Sequence, residues 1–135
     1  MANIFGYNQL FTPNAETWII DGYIQVGSDG YTVSTSPLPK GIAGLTHNAT
    51  GDLTLKLSDC WNSLLSACIH TELSAAASPA LLRVQLVSSN VGVAGTIDGE
   101  QGVRFKLIGS DGSTAANLPA SGGLRVLLML KRSSA

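Results

Sequence analysis

The sequence predicts an all-β protein, a single antiparallel β-sandwich or barrel-like domain with an extended N-terminal segment. Apolar and polar residues alternate in four separate runs, the period of a strand with one buried face. Gly-rich turn signals, among them Asp-Gly pairs, sit between those runs and favour antiparallel pairing. Only one short segment has helical spacing. A chain of 135 residues suits one domain, and it is long enough to bury a conventional core. The expected division is an N-terminal arm or extended strands over 1–40 and a β-domain over 41–135.

Within residues 1–40, Trp18-Ile19-Ile20 and Tyr23-Ile24-Gln25-Val26 suggest two strands around Asp21-Gly22. Pro13, Pro37 and Pro39 suggest extended segments that pair poorly. Either an arm packed on a neighbour or an ordinary strand pair with ragged ends fits this pattern. Next, Leu53, Leu55 and Leu57 alternate with Asp52, Thr54 and Lys56. Ser58 or Asp59 then offers an N-cap, and the spacing from Trp61 to Leu65 predicts a single helical turn or kink. A strand over 67–73 should follow, then a small-residue loop over 75–79. Leu82, Val84 and Leu86 form the next alternating run, and Val103, Phe105 and Leu107 the one after. The final run places Leu124, Val126, Leu128 and Leu130 on one face, with Leu127 and Met129 making the second face apolar as well. A strand covered on both sides is expected there, either central in a sheet or packed on a neighbouring subunit. Gly-Ser-Asp-Gly occurs at 27–30 and again at 109–112 with unmatched flanks, which reads as recurring turn chemistry without an internal repeat.

Composition narrows the function classes. The net charge of -1 is wrong for a strongly basic nucleic-acid binder. The 44% hydrophobic content is wrong for disorder. Only 13% of residues are charged, about half the usual share for a soluble domain, which suits a surface meant to meet other protein. The first residues lack a basic region followed by a sustained apolar run, so no secretory signal is expected. No apolar stretch approaches a membrane span, so no membrane association is expected. Cys60 and Cys68 have neither redox nor zinc spacing, and are expected to be reduced, partly buried small hydrophobes.

Enzyme signatures are missing. There is no phosphate loop, no dinucleotide fingerprint, no H-E-x-x-H and no nucleophile elbow. His47, in a polar loop, reads as solvated, and His70 as a satisfied structural histidine. Asp29, Asp98 and Asp111 precede glycine, where turn formation explains them. No catalytic residue, cofactor or metal is expected. Arg83, Arg104, Lys106, Arg125 and Lys131 form either a mild basic face or, more simply, charges that keep a sheet solvated. Trp18, Tyr23, Tyr31 and Trp61 are interface anchors or core, or the stacking platform of a small carbohydrate-binding sandwich.

The run Thr50-Gly51-Asp52-Leu53-Thr54-Leu55-Lys56-Leu57-Ser58-Asp59, with Trp61-Asn62-Ser63-Leu64-Leu65 and Ala120-Ser121-Gly122, leads to the closing Leu124-Arg125-Val126-Leu127-Leu128-Met129-Leu130-Lys131-Arg132-Ser133-Ser134. Together these resemble head decoration (cement) proteins of tailed bacteriophages, over roughly residues 46–135. The chain departs from that pattern at Cys60, Trp61 and Arg132. The resemblance implies a virion protein on the capsid surface, made in the bacterial host cytoplasm. Its implied partners are the major capsid protein and sister copies in a homo-oligomer, a trimer. On that reading Leu124, Val126, Leu127, Leu128, Met129 and Leu130 are the expected trimer contacts. Ile4, Phe5, Tyr7, Leu10 and Phe11 are the expected capsid contacts. A tail, neck or fibre-attachment protein is the alternative of the same kind.

Overall fold

The structure, a computed structural model, describes residues 8–9, 17–72, 83–93, 101–109 and 111–131. The chain is all-β, with two four-stranded antiparallel sheets packed face to face as a sandwich. Eight strands run in chain order: β1 (Asn8–Gln9), β2 (Thr17–Gln25), β3 (Ile42–Ala49), β4 (Asp52–Leu57), β5 (Ser63–Glu72), β6 (Arg83–Ser89), β7 (Gly102–Ile108) and β8 (Gly123–Lys131). One sheet has the order β1-β2-β8-β5 and the other β3-β4-β7-β6. No helix among the described residues is long and apolar enough to cross a membrane.

The leucine alternations become the core. In β4, Leu53, Leu55 and Leu57 are buried, and in β7 so are Val103, Phe105 and Leu107. The register sets Leu53 opposite Phe105 and Leu55 opposite Val103, so both strands bury the same face. From the other sheet come Ile20 and Ile24 of β2, Ile69 of β5, and Leu124, Val126, Leu128 and Leu130 of β8. Removing each such side chain from water stabilises the fold by roughly 1.5–3 kcal/mol.

β8 is central, between β2 and β5. The expected interface over the whole of this strand therefore narrows. Leu124, Val126, Leu128 and Leu130 fill the chain's own core, because their face of the pleat meets the opposite sheet. Leu127 and Met129 alone of the six point to the outer face.

Four local expectations are corrected. Residues 17–25 form one strand rather than two, so from Thr17 onward the segment belongs to the same sandwich as the rest. Asp21-Gly22 is no turn. A Cβ at Gly22 would lie 2.4 Å from Cβ of Pro39, so the glycine leaves room for the proline ring against the strand. Residues 58–62 contain no helical turn. The Trp61 N–H donates to Oε1 of Gln101 at 2.7 Å, and Nε2 of Gln101 donates to the Trp61 carbonyl at 2.9 Å. The Asn62 N–H donates to the Lys131 carbonyl at 2.8 Å. These bonds, made by residues far along the chain, satisfy the backbone in extended form and start β5 at Ser63 instead of 67. Finally, Leu86 is 46% exposed rather than buried, because β6 is an edge strand with a register shift between Leu86 and Ser88. Leu82 and the loop over 75–79 lie outside the described residues.

The described residues of the two Gly-Ser-Asp-Gly segments make matching hydrogen bonds. At 27–32 the Gly27 N–H donates to the Thr32 carbonyl at 2.8 Å, and Oδ1 of Asp29 accepts from the Tyr31 and Thr32 amides. At 109–114 the Gly109 N–H donates to the Thr114 carbonyl at 2.8 Å, and Oδ1 of Asp111 accepts from the Ser113 and Thr114 amides. Each turn needs one left-handed residue, supplied by Gly30 at φ 81° and Gly112 at φ 78°. One turn follows β2 and the other follows β7, so each sheet contributes one.

Candidate interaction face

The outer face of the β1-β2-β8-β5 sheet gathers the chain's most varied chemistry. Strand register places side chains in rows across β2, β8 and β5: Tyr23, Arg125, His70, then Asp21, Leu127, Cys68, then Ile19, Met129, Ser66. Leu127 is 43% exposed on a central strand, where the sheet's other face is fully covered. Met129 and Ile19 are half-buried beside it. Charged groups border this apolar stretch. Nε of Arg125 donates to Oε2 of Glu72 at 2.7 Å, and its guanidinium sits 4.9 Å from the centre of the Tyr23 ring. Apolar centre and charged border is the anatomy of a protein contact surface.

A shallow open depression in this face is lined by Asp21, Cys68, His70, Arg125 and Leu127, among others. Within it, Sγ of Cys68 lies 3.0 Å from Nε2 of His70. The i, i+2 spacing puts both side chains on one side of β5, so the pair was available from the strand period alone. The run's apolar character pointed instead to a buried small hydrophobe and a structural histidine. Cys68 is indeed a partly buried free thiol, while His70 is exposed.

A second apolar patch lies where the edge strands β5 and β6 approach each other. Leu65 is 51% exposed and Val87 44%, alongside Leu86. The sandwich is open at this seam, where Leu64, Leu86, Val87 and Val103 line a shallow cleft.

The five cations do not form one basic face. Arg83, Arg104 and Lys106 belong to one sheet, and Arg125 and Lys131 to the other. The four rings likewise form no shared platform. Trp61 is 2% exposed and Trp18 packs against the core. Tyr23 lies beneath Arg125, and Tyr31 stacks on His47 with centroids 3.8 Å apart. His47 is exposed, as expected, but it belongs to strand β3 rather than a loop and stacks on Tyr31. Ile4, Phe5, Tyr7, Leu10 and Phe11 lie outside the described residues. Among the described residues no three His, Cys, Asp or Glu side chains are grouped to hold a metal ion.

The other sheet's ion pair is structural. Asp52 accepts from Nε and Nη2 of Arg104 at 2.9 and 2.5 Å, and from Nδ2 of Asn48 at 3.3 Å. Hydrogen bonding to Arg104 is the main reason its carboxyl is pulled down to about 2 from 3.8. Asp111, held by the Thr114 side chain and turn amides, also falls to about 2. A carboxyl depressed in the folded state stabilises the fold fully above its unfolded value of 3.8, and that contribution fades as pH falls toward about 2. Asp52→Asn is therefore expected to flatten the loss of stability between about pH 5 and pH 2. Urea unfolding at stepped pH measures this, and an acid limb as steep as the parent's contradicts the assignment.

The fold is an antiparallel β-sandwich. No family model, curated protein or solved structure matches the chain.

Proposed function

We propose that this chain is a structural virion protein that binds and stabilises a bacteriophage capsid as a decoration, or cement, protein, trimeric on the shell surface. The observation that carries the reading is Leu127, with Met129 and Ile19, standing on the uncovered side of a central strand. A sequence with only 13% charged residues offers little to keep such a face apart from other protein. The resemblance of residues 46–135 to decoration proteins supplies the biological setting.

The occupant of the face is a second copy. A three-fold ring uses two different patches on each subunit, joined head to tail until the ring closes. The Leu127 face and the Leu65, Leu86 and Val87 seam are two such patches. The apolar side chains Ile4, Phe5, Tyr7, Leu10 and Phe11 then serve the capsid contact. Stabilisation follows by mass action, because a protein that binds only the assembled shell shifts assembly forward.

Quantitative mass spectrometry of gradient-purified virions tests the role. A molar ratio to the major capsid protein near one is expected. A ratio of a few per cent or lower moves the chain to a tail or neck, and absence from the particle overturns the virion reading. Deleting residues 1–13 is expected to weaken capsid attachment and leave the trimer intact. Normal decoration by the truncated chain would refute the N-terminal contact.

A further inference from the structure

The geometry points to a second chemistry on the same face: Cys68 is a nucleophilic thiol with His70 as its proton acceptor, a site for thiol–disulfide exchange with small neutral disulfides. Sγ and Nε2 are 3.0 Å apart, within reach for direct proton transfer. Both residues line an open depression, so a small molecule reaches the sulfur without the fold opening. Position on a strand fixes the pair further. β5 is hydrogen-bonded to β8 along its length, with Cys68 opposite Leu127 and His70 opposite Arg125. A nucleophile and base held on rigid neighbouring positions need little reorganisation to react. Cys60 lies in the connection before β5 and provides an internal comparison.

The step balances without an added oxidant. With the ring proton on Nδ1, Nε2 of His70 accepts the thiol proton, and the Cys68 sulfur attacks one sulfur of the incoming disulfide. The new S–S bond forms as the old one breaks. The departing thiolate takes the proton from the imidazolium and leaves as a free thiol. Cys68 is left as a mixed disulfide. The charged and titratable groups facing the pair are Asp21 and Tyr23 from β2 and Arg125 from β8, with Glu72 on β5 held by Arg125. Asp21 and Arg125, of opposite charge, line the depression together with Leu127, so neither sign of charge is favoured and the expected substrates are uncharged.

The test uses the full chain with hydroxyethyl disulfide, and mass spectrometry of peptides assigns each adduct to Cys60 or Cys68. Cys68 is expected to react faster than Cys60, and His70→Gln to slow Cys68 by roughly tenfold or more. Added imidazole should restore part of the Cys68 rate in the same variant, a rescue that a packing role for His70 would not produce. Cys60→Ser should leave the Cys68 rate unchanged, and circular dichroism checks that each variant is folded. Equal rates at the two cysteines, or an unaltered Cys68 rate in His70→Gln, would overturn the assignment. The reaction is run at dilute concentration, so it stands apart from the trimer reading. Protection of Cys68 that appears only at high concentration reports on self-association, whereas the His70 effect reports on the thiol.

Discussion

Leu128→Ala is expected to lower the folding free energy by about 2–5 kcal/mol, while Leu127→Ser, one position away, changes it by less than about 0.5 kcal/mol. The contrast follows from the pleat. Leu128 is fully buried between the sheets, and its loss leaves a cavity that a close-packed core refills only in part. Leu127 faces outward, and a hydroxyl there meets solvent. The order reverses for assembly. Leu127→Ser should weaken the proposed trimer by tenfold or more, roughly what removing one well-packed apolar anchor costs. Urea titration reads the first effect and sedimentation velocity the second. A Leu127→Ser chain that associates as well as the parent would remove the outer face of β8 from the proposed contact.

The second large effect concerns a residue with no role in any visible motif. Gln101→Leu is expected to destabilise the fold by about 2–4 kcal/mol, although the replacement is similar in size and more apolar. Gln101 is 2% exposed and bonds both the N–H and the carbonyl of Trp61. Leucine takes a hydrogen-bond partner from each of two interior backbone groups, and a buried group that loses a bond bears part of its desolvation cost. Chemical denaturation of the variant measures the loss. A change under about 1 kcal/mol would mean that the 58–62 connection finds other partners.

What the sequence showed and what it concealed divide along physical lines. The β4, β7 and β8 alternations were legible because leucine, valine and phenylalanine at period two have one economical arrangement between two sheets. The single strand β2 was not, because Asp21-Gly22 carries the local signature of a turn. Its glycine instead serves Pro39, seventeen positions later, and no local rule reports such a contact. Residues 58–62 failed for the same reason, since Gln101 and Lys131 decide their backbone from a distance. On the candidate face, Leu127 and Met129 were visible as a surplus of apolar residues on one strand. Cys68 and His70 had the spacing to share a face, but the apolar character of the run pointed to a buried face, whereas theirs is the outer one.

The place of β8 also carries a consequence for synthesis. β2 and β5 share a sheet only through β8, which pairs Thr17 with Lys131 and Ser63 with the same lysine. On the ribosome every other strand is therefore made before the strand that joins these two, and until it arrives Ile20, Ile24 and Ile69 have no sheet neighbour to complete their layer. Contacts spanning so much chain carry a loop-closure penalty before any return. The sandwich is thus a closure that happens late and as a whole. Until β8 is made, β2 and β5 leave those apolar faces open to aggregation, even though the β3-β4-β7-β6 sheet already has all its strands.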